Sequence, residues 1–207
     1  AGAGLSQPVW DKLDRDEYPT HEPLLEDLAI VRDSLLSNQG EHVANGTLRR
    51  LMEKVRLFGL HLVPLDVRED ARLFRSALDE LLRAYNQVEN YTALPESEKQ
   101  ALLNAELNAK RPLFPLEPAF SDTTNRVINT WRMVAKAHRR YGTAVIDSVI
   151  ASMSTAPSDI LTMLLYAREV GVNASVDLVP LFETIDDLER APQIMEALFN
   201  NPLYMEH

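Results

Sequence analysis

A chain of 207 residues with 45% hydrophobic and 25% charged content is long enough to bury a sizeable core. Its formal net charge of −10, from 31 acidic and 21 basic residues, argues against general nucleic-acid binding, which needs a basic face. Cysteine is absent, which excludes disulfides and thiolate metal sites, and no apolar run reaches the length of a membrane span.

Residues 1–19 are expected to be a poorly structured or cloning-derived start, and 1–207 to be a single segment of something larger. No charged-then-apolar leader opens the chain, so a cytoplasmic location is expected and the N-x-S/T triplets at Asn45, Asn90 and Asn173 read as chance. Helical patterns then dominate. Glu22–Ser37 carries a one-faced stripe of Leu24, Leu25, Leu28, Val31 and Leu35, with Gly40 just beyond it. Thr47–Phe58 repeats the pattern and stops at Gly59. Leu60–Val67, short and rich in branched residues, reads as a strand. Glu69–Tyr85 and Pro95–Asn108 read as amphipathic helices, the second entered through Pro95 with Glu96 and Glu98 in its first turn.

Three prolines make Lys110–Phe120 a loop. Asp122–Arg140 is a helix whose Trp131 and Met133 read as packing residues. Ala144–Met153 is a second strand, Pro157–Val170 a helix closed by Gly171, and Ser175–Phe182 a third strand. Asp186–Asn200 is the last clear helix, with an expected break at Pro192. Strands separated by helical crossovers imply a parallel sheet. The fold class is therefore α/β and helix-rich. With about three parallel strands where a closed (β/α)₈ barrel has eight, the expectation is a partial barrel segment with additional helices.

Ligands of parallel α/β folds bind at the carboxyl ends of strands. Three such ends would bring Arg68, Ser154 and Glu183 around one rim. The segment VPLFETIDDL, Val179–Leu188, is the most telling: an apolar run stops at Glu183, and an acidic helix start follows. A guanidinium holds phosphate or carboxylate oxygens in bidentate fashion, and a carboxylate suits Mg²⁺ or Mn²⁺. Plainer readings stand beside these. Arg68 could pair with Asp66, Glu69 or Asp70. Glu183 could merely precede a helix cap, since Thr184 and Asp187 have capping-box spacing. Ser154, Thr155 and Ser158 read as helix caps. The basic cluster Lys136, His138, Arg139 and Arg140 reads as a solvated helix terminus. The five histidines have no metal-ligand spacing, and no phosphate-binding glycine loop or nucleophile elbow occurs.

Five blocks carry a further likeness: FGLHLVPLDVRE (Phe58–Glu69), LNAKRPL (Leu107–Leu113), IASMS (Ile150–Ser154), PSDI (Pro157–Ile160) and VPLFETIDDL. In this order and spacing they resemble phosphoenolpyruvate carboxylase, from about Thr20 to the end. The resemblance implies a lyase built on a (β/α)₈ barrel that adds bicarbonate to phosphoenolpyruvate, a carbon dioxide fixation feeding the tricarboxylic acid cycle. The products are oxaloacetate and phosphate, and the cofactor is Mg²⁺ or Mn²⁺. It implies that Arg68 binds the substrate phosphate, that Leu181 walls the substrate, and that Glu183 is one of two carboxylate metal ligands. It also implies a cytoplasmic homotetramer whose partners are its substrates and the remainder of the parent chain, with neither nucleic acid nor membrane.

The family's catalytic histidine motif TAHPTE and the SDSAKD block holding the second ligand are not in this stretch. The expectation is thus a central fragment with no catalytic residue of its own, inactive alone. The alternative is a non-catalytic helical interaction module derived from a barrel enzyme.

Overall fold

The computed structural model describes residues 18, 20–109 and 111–207. The expectation for residues 1–19 falls, Tyr18 apart, outside them, as does Lys110 of the proline loop. The chain forms two compact units.

The first comprises residues 1–63 with 140–142. Its helices are α1 (His21–Ser37), α2 (Glu41–Val43) and α3 (Arg49–Phe58), with a π-helical turn at Ala44–Leu48 joining the last two. Helical backbone thus begins six residues before the Thr47 start expected from the sequence. Asn45 and Gly46 are poor helix formers, and the wider π turn carries the chain through them. Ala44, Leu48, Met52 and Val55 are the buried apolar side chains of this stretch, while α1 buries none of its residues.

The second unit comprises residues 64–139 and 143–207. Its sheet has three parallel strands in the order β1 (Leu65–Asp70), β2 (Ile146–Ser152), β3 (Asp177–Pro180). Sequential parallel order with helical crossovers is the arrangement of a (β/α) barrel segment, as expected. The crossover from β1 to β2 runs through α4 (Ala71–Ala84), α5 (Glu96–Asn108) and α6 (Asp122–Tyr141). The crossover from β2 to β3 is α7 (Pro157–Glu169), and α8 (Ile185–Phe199) and α9 (Pro202–Glu206) follow β3.

The first strand lies further along the chain than Leu60–Val67. Gly59 and Leu62 both take positive φ, +56° and +65°, so residues 59–63 turn instead of extending. The strand that follows, LDVRED, is strongly charged. It forms because its backbone pairs with β2, from Asp66↔Ser148 through Arg68↔Ile150 to Asp70↔Ser152. Pairing overrides the low intrinsic strand preference of Asp and Glu. The expected break at Pro192 does not occur, and α8 runs through it.

The core centres on α7, in which every residue from Pro157 to Ala167 is buried. A helix apolar on all sides belongs in an interior. Tyr166 lies 6.2 Å from Phe74, 5.3 Å from Phe114 and 6.1 Å from Trp131 between ring centroids, and its hydroxyl donates to Phe74 O at 2.9 Å. Trp131 packs as expected, whereas Met133 is exposed. His138 is not part of a solvated terminus. It is buried, with Nε2 2.6 Å from Ile146 O and Nδ1 3.1 Å from Ser175 Oγ.

Glu80 ties α4 to the entry of α6. It accepts Ser121 N (2.9 Å), Ser121 Oγ (2.6 Å) and Thr124 Oγ1 (2.5 Å). Burial pushes its carboxyl up, but these donors outweigh it and leave the pKa below the ordinary value. The stabilisation is therefore present above the unfolded-state pKa of about 4.3 and is lost as pH falls through the folded value. Urea unfolding should show wild-type stability falling more steeply than that of Glu80→Gln as the pH drops below about 5. Parallel profiles would refute this.

Candidate functional site

The carboxyl end of β1 delivers Arg68 and the segment after β3 delivers Glu183. The structure brings them together: Arg68 Nη2 donates to Glu183 Oε1 at 2.7 Å. The local partners that the sequence offered to Arg68 are not used in this way. Asp70 pairs with Arg72 (2.5 Å), and Glu69 with Arg126 (3.0 Å). The remaining Glu183 oxygen, Oε2, accepts the Met153 N–H at 3.3 Å. Leu181 lies between β3 and Glu183, half-buried, and its N–H extends the sheet by donating to Ala151 O at 3.0 Å.

Ser154 does not join this rim. It is buried, and its Oγ donates back to Ala151 O at 2.9 Å, closing the end of β2. Nor do Ser154, Thr155 and Ser158 cap α7 with their side chains. The capping acceptor is Asp159, whose Oδ2 takes the N–H groups of Thr155 (2.9 Å) and Ala156 (3.2 Å). Ser158 instead binds Glu96 through both its N–H (2.9 Å) and its Oγ (2.7 Å). Burial pushes the Asp159 carboxyl up, against the pull of Arg75 and the two N–H groups. The sequence contains a signal for this cluster, a carboxylate three residues past the turn that precedes α7, but reading serines as the caps conceals it.

The capping box at α8 is present. Thr184 Oγ1 accepts Asp187 N at 3.1 Å, and Asp187 Oδ2 accepts Thr184 N at 3.2 Å. Glu183 is thus the residue immediately before a well-anchored helix start. It is fixed by that cap without taking part in it, so the cap reading and the ligand reading are compatible. Thr184→Ala should cost about 1 kcal/mol of stability, read from denaturant midpoints, and an unchanged midpoint would refute the cap.

The donor chemistry at the rim suits a hard cation in part. One carboxylate stands beside one guanidinium, and among the described residues no three Asp, Glu, His or Cys side chains gather into a metal cluster. Mg²⁺ commonly uses one or two protein carboxylates and completes its shell with water and substrate oxygens. Glu183 fits as one such ligand. Arg68 beside it offers a fork for phosphate oxygens. The rim can therefore hold opposite charges side by side, as an anionic substrate with a divalent counter-ion requires. No helix among the described residues is long and apolar enough to cross a membrane.

The family model described as phosphoenolpyruvate carboxylase matches residues 5–207. The phosphoenolpyruvate carboxylase of Roseiflexus castenholzii is 37% identical over 206 residues, covering 96% of this chain and 22% of that one. That of Corynebacterium diphtheriae is 38% identical over 201 residues (93% and 22%), and that of Aromatoleum aromaticum 37% over 196 (92% and 21%). The chain spans about a fifth of the length of these curated relatives. It belongs to the phosphoenolpyruvate carboxylase family.

Proposed function

We propose that this stretch supplies one substrate-binding arginine and one metal-binding carboxylate to an active site that carboxylates phosphoenolpyruvate with bicarbonate, giving oxaloacetate and phosphate. The observation that carries the reading is the 2.7 Å Arg68–Glu183 pair at the carboxyl ends of parallel strands. In this reading each member of the pair exchanges its partner for one of opposite charge. Arg68 takes phosphate oxygens of the substrate, and Glu183 takes Mg²⁺ or Mn²⁺. A divalent cation supplies charge neutralisation to an anionic reacting oxygen. Arg68 orients the phosphoryl group and offsets its charge, Leu181 shields the apolar side of the substrate, and the Met153 N–H holds Glu183 in place. The second carboxylate and the proton-transfer groups come from elsewhere in a full-length enzyme, so the stretch alone is inactive. A cytoplasmic homotetramer is the assembly proposed for such an enzyme.

The test is steady-state kinetics of a full-length phosphoenolpyruvate carboxylase carrying these residues. Arg68→Met should raise KM for phosphoenolpyruvate, and Glu183→Gln should raise the apparent activation constant for Mn²⁺. Unchanged constants in folded variants would overturn the assignments.

A further inference from the structure

The turn from β2 into α7 is held more firmly than a helix start requires. Met153 has φ of +56°, a region that side chains other than Asn and Asp enter sparingly and that persists where the surroundings over-determine it. Those surroundings are specific. Ser154 Oγ is turned back onto Ala151 O. Asp159 Oδ2 accepts the N–H groups of Thr155 and Ala156. Arg75, on α4, donates from Nη1 to Thr155 Oγ1 at 3.2 Å and sets Nε 3.4 Å from Asp159 Oδ1. The Asp159 side chain is fully buried, and its Oδ1 has no hydrogen-bond partner among the described residues, which leaves Arg75 as its charge partner. A cap needs the Asp159 contact with Ala156 N. It needs neither a cation reaching across from another helix nor a left-handed residue ahead of it.

What this turn presents is the Met153 N–H, donating to Glu183 Oε2 at 3.3 Å. Among the described hydrogen bonds and ion pairs, neither Arg75 nor Asp159 touches Glu183 itself. Their influence runs through the backbone of Met153–Ala156.

We infer that Arg75 and Asp159 are positioning residues for Glu183. By locking the Met153–Ala156 turn they aim the Met153 N–H at one carboxylate oxygen and thereby fix the direction of the other. The inference rests on the reading of Glu183 as a cation ligand. Partners that orient a metal ligand change metal affinity or activity about 10- to 100-fold when removed.

The experiment compares Arg75→Met, Arg75→Lys, Asp159→Asn and Glu183→Gln in a full-length phosphoenolpyruvate carboxylase carrying this stretch. Mn²⁺ activation, kcat, KM for phosphoenolpyruvate at saturating Mn²⁺ and thermal unfolding are measured for each. Arg75→Met and Asp159→Asn should raise the Mn²⁺ constant about 10-fold and leave KM within about twofold, and Arg75→Lys should restore much of the loss. A merely structural role would lower the melting temperature and the active fraction without moving the Mn²⁺ constant, and that result overturns the inference. If Asp159→Asn fails to fold, the half-buried Arg75 carries the test alone. Glu183→Gln separates the two layers. If it raises the Mn²⁺ constant and Arg75→Met does not, the positioning role fails and the ligand role stands. If it leaves the constant unchanged, the ligand role itself fails and the positioning role falls with it.

Discussion

In a full-length phosphoenolpyruvate carboxylase carrying these residues, the proposed roles predict that Glu183→Gln reduces carboxylation by about 100-fold or more, and Arg68→Met by a similar factor, while neither changes stability by more than about 1 kcal/mol. The contrast decides between the two readings of their ion pair. The side chains are 53% and 35% exposed. Exposed pairs of this kind contribute about 0–1 kcal/mol, because water screens them and both side chains lose freedom on pairing. A structural role therefore predicts a small effect on everything. A catalytic role predicts a small effect on folding and a large one on rate, since fixed charges aimed at a developing charge are worth about 3–4 kcal/mol in a closed site. The two variants should also differ in kind. Losing a phosphate contact made equally in ground and transition state raises KM. Losing the cation ligand raises the Mn²⁺ constant and lowers kcat where the charge develops only in the transition state. A full-length enzyme in which both variants keep wild-type kcat/KM would return the pair to an ordinary surface salt bridge.

The ends of β1 and β3 show what the sequence makes legible. Glu183 stands out because an apolar strand and an acidic helix start meet there, and both features are local. Arg68 stands out for the opposite reason, as a cation within an acidic run, and three nearby carboxylates, Asp66, Glu69 and Asp70, compete for it on paper. Only the parallel register, which sets Arg68 beside Ile150 and Val179 on adjoining strands, brings it to a carboxylate 115 residues away. Strand β1 is misplaced from sequence for the same reason. Its apolar approach, Leu60–Val63, turns at Gly59 and Leu62, and its charged part becomes the strand because β2 offers a ladder. The Arg75–Asp159 clamp joins residues 84 positions apart on different helices, which no periodicity reports. Helix α8 crosses Pro192 without interruption because tertiary context outweighs the local preference against proline.

Trp131→Ala should be the most destabilising of the substitutions considered, at about 3–5 kcal/mol, with a fall in melting temperature of about 10 °C. The side chain is 1% exposed and sits 6.2 Å from Phe74 and 6.1 Å from Tyr166 between ring centroids, joining α6 to α4 and α7. Truncation leaves a cavity lined by rigid aromatic rings, and such a site collapses poorly. Trp131→Phe should cost markedly less than Trp131→Ala, because Trp131 Nε1 has no hydrogen-bond partner among the described residues. The phenyl ring keeps most of the packing and removes a buried donor that gains nothing from its surroundings. Tyr166→Phe should behave in the opposite way for its size, since its hydroxyl donates to Phe74 O and deletion removes that buried hydrogen bond, costing about 0.5–1.5 kcal/mol. Denaturant unfolding of the three variants checks the order Trp131→Ala first and Trp131→Phe well behind it. A Trp131→Phe as costly as Trp131→Ala would mean that Nε1 is satisfied in solution. Neither Trp131 nor Tyr166 touches Arg68 or Glu183 through any described bond, so kcat per folded molecule of a full-length enzyme carrying this stretch should stay near wild type. The aromatic core supplies the stability on which the rim stands, and the rim's exposed charges are free to be set by chemistry.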